Sequence, residues 1–170
     1  MKMPNVVKDL SGPESVKIRP RFEAFLHGQV LDVGAGEKAI TEGAVSIDLR
    51  DQFGSRQGLA IKAHGEYLPF RDEAFDTVVN SHNLEHMPND FTAMSEMWRV
   101  LKRGGYLLLY LPMKGLFPSH TVYPAHYRDY EPENVVGMLD HLVVEYELLD
   151  CSILNAVREF SFCMVVRKIK

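Results

Sequence analysis

The fold is decided by Val30-Leu31-Asp32-Val33-Gly34-Ala35-Gly36, a short and mainly apolar run that leads directly into a turn with two glycines. Continuous runs of this kind are typical of strands that are covered on both faces of a parallel sheet. Glycine lets the backbone turn tightly and approach a ligand with no side chain in between. We therefore expect a ligand site at the end of a buried parallel strand.

Further runs along the chain predict more strands of the same sheet. They are Val45–Asp48, Leu59–Lys62, Phe75–Val79 and Tyr106–Leu111. Between the last two, apolar residues recur at three- and four-residue steps from Phe91 to Leu101, which predicts a helix that ends at Gly104.

The two ends of the chain complete the pattern. Ser11 is a predicted cap of an N-terminal helix, which Pro20 is expected to interrupt. Glu131-Pro132-Glu133 is predicted to start a helix, and Val143–Leu149 and Phe160–Val166 are predicted to form an antiparallel pair of closing strands. This alternation predicts an α/β fold with a mostly parallel sheet and helices on both faces.

The composition fits one globular domain of 170 residues, with 46% hydrophobic and 25% charged residues. Nineteen basic and 23 acidic residues give a net charge of −4, so we expect no nucleic-acid partner. The two cysteines are too few for a disulfide framework. No apolar run is long enough to span a membrane and residues 1–9 lack the apolar core of a signal peptide, so we expect a cytoplasmic protein.

Polar residues follow the predicted strands, where ligands bind in open α/β sheets. Asp48 ends the second strand, and a carboxylate there can accept hydrogen bonds from both ribose hydroxyls of an adenosine-type ligand. The third glycine of a dinucleotide-binding motif is absent, because Lys38 and Ala39 occupy that region. The glycines alone therefore leave an ordinary strand-to-helix turn open as an alternative.

Five pieces of the sequence, taken together, carry a family resemblance. They are Val30–Gly36, Ser46–Asp48, Glu66–Val79, Ser81–His86 and Glu96–Gly105. In this order and spacing they resemble the class I S-adenosylmethionine-dependent methyltransferases, especially the family of the ubiquinone- and menaquinone-methylating enzymes. The resemblance implies a Rossmann-like fold, S-adenosyl-L-methionine as cofactor, and methyl transfer to a small-molecule or a sugar- or lipid-linked acceptor.

The resemblance also implies which residues bind the cofactor. They divide by the part that each would contact: the methionine (Asp32, Gly34, Gly36), the ribose (Asp48), the adenine (Leu49, Gly65, Glu66) and the region of the methyl group (Asn80, Ser81). The segment Leu68-Pro69-Phe70 is interpreted as a structural turn.

The sequence departs from the family pattern at three places. Lys38 replaces the third glycine, the segment between Gly36 and Asp48 is too short for the usual helix, and His64 replaces an acidic residue near the adenine amino group. A neutral imidazole could accept one hydrogen bond there. These departures leave a non-catalytic scaffold open as the main alternative. A nicotinamide-dependent oxidoreductase would explain the glycines and Asp48, but not the later pieces.

Methyl transfer from a sulfonium mainly requires positioning, and a base is needed only when the acceptor must lose a proton early. The candidate catalytic residues are His82, His120 and His126. The last two lie in residues 113–130, after the fifth strand, where the family commonly builds its acceptor site. For His126, the alternative of packing against the following helix stays open.

His82 and His86 would share one face of a helix, which is a conceivable metal pair. Two histidines without a third ligand are a weak metal signature, so we expect no metal and interpret Glu85-His86 as a structural element of the loop.

The expected organisation is a single domain, residues 1–170. It divides into an N-terminal helical segment (1–28), a cofactor-binding core (29–112), an acceptor-site loop (113–130) and a closing helix with strands (131–170). The sequence leaves open whether the protein forms a homodimer.

Overall fold

The computed structural model describes residues 14–36, 38–49, 59–116, 126–156 and 159–170, with side chains except at 59, 60, 155, 156 and 159. Two of the predicted residues, Ser11 and His120, lie outside these ranges. The helices in chain order are α1 (Glu14–Phe22), two 3-10 helices (Glu23–Phe25 and Leu84–His86), α2 (Asp90–Val100) and α3 (Pro132–His141). The strands are β1 (Val30–Val33), β2 (Val45–Asp48), β3 (Leu59–Lys62), β4 (Phe75–Ser81), β5 (Leu101–Pro112), β6 (Tyr146–Ala156) and β7 (Glu159–Lys168).

The strands form one seven-stranded sheet in the order β3-β2-β1-β4-β5-β7-β6. The first five are parallel, and β7 runs antiparallel to both of its neighbours. The prediction of a mostly parallel sheet with an antiparallel closing strand is confirmed. The strand order reverses between β1 and β4, and such a reversal opens a crevice at the carboxyl ends of the strands.

Helices cover both faces of the sheet, as predicted. Leu107 and Leu109 of β5 belong to the core under α2 and α3, whereas Leu108 and Tyr110 belong to the core under α1. Alternate residues of a strand point to opposite faces, so a continuous apolar run supplies both cores. Among the described residues, no helix is long and apolar enough to cross a membrane.

Two predicted helix boundaries are wrong. Helix α2 ends at Val100 rather than Gly104, because Leu101 adopts extended backbone angles and pairs with Phe75 of β4. Gly104, with a φ of 76°, lies in an irregular part of β5, where the pairing with β4 shifts register. Pro20 does not interrupt α1, which continues to Phe22. The hydrogen bond that proline removes falls in the last turn of this helix, where its loss costs little.

The predicted turn Leu68-Pro69-Phe70 is bound tightly to α2. Arg99 donates hydrogen bonds to the carbonyl oxygens of Phe70 (2.8 Å) and Leu68 (3.1 Å). Glu96 accepts a hydrogen bond from the Leu68 amide at 2.8 Å and pairs with Arg99 at 2.7 Å. These contacts fix the segment after β3, which includes Gly65, against the helix that follows β4.

Candidate active site

A pocket of about 290 Å³ opens at the carboxyl ends of β1, β2 and β3. Its lining is Gly34, Ile47, Asp48, Leu49, Ala63, His64, Gly65, Asn83, His86 and Met87. Four of the residues predicted to bind the cofactor are in this lining: Gly34, Asp48, Leu49 and Gly65. The crevice that open α/β sheets use for ligands is therefore present at the expected edge.

The turn after β1 shapes one wall of the pocket. Gly34 has a φ of 75°, and its amide donates a hydrogen bond to the carbonyl oxygen of Ile47 at 2.9 Å. A Cβ atom at this position would overlap the side chain of Asn83, which itself donates to the Val33 carbonyl. Both the backbone angle and the close approach require glycine here.

The carboxylate of Asp48 is held at the pocket by the same turn. The amide of Gly36 donates a hydrogen bond to Asp48 Oδ2 at 3.2 Å. The side chain of the next residue, Leu49, is 53% exposed and presents an apolar surface at the pocket. The Asp48 carboxylate can therefore accept hydrogen bonds from ligand hydroxyls. The apolar Leu49 side chain beside it can pack against a flat ring.

Asp32 is fully buried beneath this turn and is absent from the pocket lining. Its Oδ2 accepts a hydrogen bond from the Ile40 amide at 2.7 Å, whereas Oδ1 has no hydrogen-bond partner in the described part of the chain. Burial raises the pKa of this carboxyl to about 7, and the charge of Asp48 adds to the rise. Asp32 therefore holds a proton more readily than an ordinary aspartate does.

Glu66 and Asn80 were expected beside the cofactor, but their side chains are bonded to the protein itself. Glu66 is buried and accepts hydrogen bonds from the backbone amide (2.9 Å) and the side-chain amide (3.1 Å) of Asn89. Asn80 accepts one from the Leu84 amide at 3.0 Å. Together with Gly36 and the buried Ser81, they do not line the pocket. Glu66 and Asn80 instead hold the segments that do.

His64 lines the pocket at the place where the family carries an acidic residue. Its Nδ1 accepts a hydrogen bond from the Glu66 amide at 3.3 Å. A neutral imidazole that accepts at Nδ1 carries its proton on Nε2. The expectation that His64 accepts a hydrogen bond from a ligand amino group does not fit this geometry.

Asn83, His86 and Met87 line the pocket although the sequence did not single them out as ligand-contacting residues. They follow β4 directly, after a turn in which His82 has a φ of 46°. Such a backbone conformation is rare for a residue with a side chain and bends the chain back over the strand ends. The resemblance to the family includes the piece Ser81–His86. It does not indicate that the chain turns toward the pocket after Ser81.

The side chain of His82 is held in place by contacts with two other side chains. Its Nε2 forms a hydrogen bond with Ser161 Oγ at 2.9 Å, and its ring lies 4.8 Å from that of Tyr110. Burial lowers its pKa to about 3, and the positive charges of Lys17, His126 and His86 contribute. A base with so low a pKa is nearly all neutral at pH 7 but has little driving force for taking a proton. The contacts with Ser161 and Tyr110 fix the position of the His82 ring.

The structure brings His126 to the site of Glu85 and His86. The Tyr127 amide donates a hydrogen bond to the carbonyl oxygen of Glu85 at 2.8 Å, and the rings of His126 and His86 pack at 4.7 Å. His126 Nδ1 lies 3.6 Å from Asp129 Oδ1. Burial raises the pKa of Glu85 to about 8.

A second pocket, of about 580 Å³, lies beside this cluster along the segment predicted to form the acceptor site. Its lining is Asp90, Phe91, Lys114, Arg128, Asp129, Tyr130, Glu133, Asn134, Gly137, Met138 and His141. Tyr130 Oη donates a hydrogen bond to Asp90 Oδ2 at 2.8 Å, and Arg128 pairs with the same oxygen at 3.0 Å. Asp90, at the start of α2, thus holds Arg128 and Tyr130 in place.

Comparison with known proteins shows what the central part of the chain resembles. Residues 31–109 match the profile of a family described as "Methyltransferase domain". Over this stretch, which is just under half of the 170 residues, the chain is similar to that family. An uncharacterized methyltransferase of Mycobacterium tuberculosis is 37% identical over 76 residues, which are 44% of this chain and 30% of that protein. The ubiquinone/menaquinone biosynthesis C-methyltransferase UbiE of Haemophilus ducreyi is 42% identical over 57 residues, 34% of this chain and 22% of that protein.

The alignments therefore span less than a third of the curated relatives' length. Solved methyltransferases share the fold over most of this chain. A SAM-dependent methyltransferase from Archaeoglobus fulgidus has a TM-score of 0.69 at 18% identity, covering 91% of this chain and 92% of that one. A Burkholderia thailandensis 1,6-didemethyltoxoflavin-N1-methyltransferase, solved with bound 1,6-didemethyltoxoflavin and S-adenosylhomocysteine, has a TM-score of 0.70 at 15% identity, covering 92% of this chain and 79% of that one. This similarity shows the Rossmann-like methyltransferase fold.

Proposed function

We propose that this protein transfers a methyl group from S-adenosyl-L-methionine to a small-molecule or a sugar- or lipid-linked acceptor. The observation that carries the proposal is the carboxylate of Asp48, which the Gly36 amide holds at a pocket over the strand ends of a methyltransferase domain. A carboxylate at the end of the second strand is the group that binds ribose hydroxyls in nucleotide-binding α/β folds.

The residues present fit this cofactor. Leu49, Ile47 and Met87 give the pocket an apolar surface for a base, and Gly34 lets the Asn83 side chain pack directly against the turn at the pocket wall. The unpartnered, buried Oδ1 of Asp32 offers an acceptor beneath the glycine turn, which supports the expectation that this residue serves the methionine end.

When bound, the cofactor would supply a methyl group already activated by its sulfonium. The protein's part is to align the acceptor with that methyl group and to exclude other nucleophiles. The second pocket, whose lining includes both basic and acidic side chains, supports a polar acceptor. His126, beside the Asp129 carboxylate, is the proposed residue for taking a proton from the acceptor, because a neighbouring carboxylate orients and stabilises an imidazolium.

The first test is a thermal melt with S-adenosylmethionine, S-adenosylhomocysteine and NAD. A ligand at 100 times its dissociation constant adds about 2.7 kcal/mol to the free energy of unfolding, which raises the melting temperature by roughly 5–11 °C in a domain of this size. We expect this rise with the first two ligands and none with NAD. A rise with NAD alone would favour an oxidoreductase, and no rise at millimolar ligand would favour a non-catalytic scaffold.

His126→Ala is expected to lower turnover by about 10²–10⁴-fold, the usual contribution of a positioned acid–base group. Cofactor affinity should stay unchanged, since His126 does not line the cofactor pocket. Turnover would be measured with an acceptor found by screening, with His27→Ala, an exposed histidine, as the matched control. Full activity of His126→Ala would rule out the proposed proton transfer.

A further inference from the structure

Glu85, His86 and His126 form a compact cluster beside the cofactor pocket. The first two lie on the 3-10 helix after β4, and His126 lies far along the chain, anchored by the hydrogen bond from Tyr127 to Glu85. Each of the three side chains offers one potential ligand atom, and these atoms all lie within 4.8 Å of one another. From the sequence, His82 and His86 were the conceivable metal pair. In the structure, His126 and not His82 lies with His86 in the cluster.

Glu85 gives an independent indication that a cation belongs here. The residue is fully buried, and neither carboxylate oxygen accepts a hydrogen bond from the residues that the structure describes. Its Oε1 lies 3.7 Å from His82 Nδ1 and 4.0 Å from His86 Nε2, beyond hydrogen-bond distance. Burying a carboxylate without a hydrogen bond is costly, and a coordinated metal ion is one of the ways in which proteins offset that cost.

The ligand set indicates the kind of metal. One carboxylate and two imidazoles are a set found in catalytic zinc sites, where three protein ligands leave a fourth position for water or substrate. Imidazole nitrogen suits zinc and its transition-metal neighbours, whereas Mg²⁺ and Ca²⁺ prefer oxygen ligands.

Asp129 lies beside His126 of the cluster. Its Oδ1 is 3.6 Å from His126 Nδ1, just beyond hydrogen-bond distance, and the two side chains are only 7% and 4% exposed. In metal sites a carboxylate that accepts a hydrogen bond from one ring nitrogen orients a histidine whose other nitrogen binds the metal. A movement of roughly 0.5 Å would bring Asp129 and His126 to hydrogen-bond distance.

We propose that Glu85, His86 and His126 bind one divalent transition-metal ion of the zinc type at the edge of the cofactor pocket. Zinc–nitrogen bonds of about 2.0–2.1 Å in a tetrahedral site bring ligand atoms to about 3.4 Å from one another. The three side chains must therefore close by roughly 1 Å, and His86, whose side chain is 40% exposed, has space for that movement. Since His86 also lines the pocket, the fourth position would take water or an acceptor oxygen. While the ion is bound, His126 is a ligand, so the proton transfer proposed for this residue applies to the metal-free protein. The proposal rests on this geometry and not on methyl transfer.

The test is calorimetric titration of the untagged, metal-free protein with Zn²⁺, with Mg²⁺ as the comparison ion and no cofactor present. We expect one Zn²⁺ per chain and no measurable binding of Mg²⁺. Co²⁺ should give the intense visible absorption of a four-coordinate site. Equal affinity for the two ions, or the weak absorption of aqueous Co²⁺, would overturn the proposal.

Glu85→Gln is the sharpest variant, because it keeps the shape of the side chain and removes a buried charge. We expect at least about a tenfold loss of Zn²⁺ affinity, with a melting temperature of the metal-free protein no lower than that of the wild type. His126→Ala should lose a similar factor, and His27→Ala should bind as the wild type does. Unchanged Zn²⁺ affinity in Glu85→Gln would overturn the site even if the protein proves to be an active methyltransferase.

Discussion

Asp48→Ala is expected to weaken the binding of S-adenosylhomocysteine by about 100-fold or more. Under the proposed function the carboxylate accepts hydrogen bonds from two ribose hydroxyls, and a hydrogen bond to a charged group contributes about 1.5–3 kcal/mol. Each 1.4 kcal/mol corresponds to tenfold in affinity, so even the lower limit for two bonds gives this loss. The measurement is calorimetric titration of wild type and variant with the same ligand.

Two matched variants separate the ribose contact from general damage. Asp48→Asn keeps an oxygen that can accept from the Gly36 amide but lacks the charge, and we expect a loss between those of wild type and Asp48→Ala. Glu42→Ala removes an exposed carboxylate of the segment between the glycine turn and β2 and should leave affinity unchanged. If Asp48→Ala binds as tightly as the wild type and melts at the same temperature, Asp48 does not bind the ribose.

The strands of the parallel sheet could be predicted because burial on both faces gives continuous apolar runs in the sequence. Val30–Val33 and Val45–Asp48 form strands with the predicted bounds. The helix before β5 was predicted too long because a glycine was taken as its end, whereas pairing of Leu101 with Phe75 decided the boundary. The helix propensity of a segment is a weak guide to where the helix ends when its residues can pair with a strand from a distant part of the chain.

The lining of the cofactor pocket was only partly predictable, because it too depends on contacts between distant parts of the chain. A motif places residues at the end of a strand, but it does not indicate which side chains point into the crevice. Gly34 and Asp48 line the pocket, while Glu66 turns away to bind Asn89. The contact of His126 with the region of Glu85 joins distant parts of the chain, and no local pattern encodes it.

Asp32→Asn is expected to stabilise the protein at pH 8 while weakening cofactor binding. Burial raises the pKa of Asp32 from 3.8 to about 7. The stability of a group with a raised pKa is fully present below its unfolded pKa and is lost as the pH rises through its folded pKa. Above pH 7 the ionised Asp32 therefore lowers the free energy of unfolding, by on the order of 4 kcal/mol.

The substitution removes this penalty and keeps an oxygen for the Ile40 amide. The new amide nitrogen takes the place of the unpartnered Oδ1, which costs about 1–3 kcal/mol. The net gain at pH 8 is then roughly 1–3 kcal/mol. Denaturant unfolding from pH 4 to pH 8 should show the variant gaining on the wild type up to pH 7, with a constant difference above it.

The same variant separates a functional carboxylate from a structural one. A residue that served only to bind the Ile40 amide would gain stability as asparagine without any loss of ligand affinity. Under the proposed function the loss of one charge-assisted hydrogen bond weakens S-adenosylhomocysteine binding by about tenfold or more. Glu42→Gln, an exposed control, should follow the wild type in both measurements. The stability difference between variant and wild type should change between pH 4 and pH 7. If it is equal at pH 4 and pH 8, ionisation of the buried carboxylate carries no penalty. Asp32 would then be an ordinary structural acceptor.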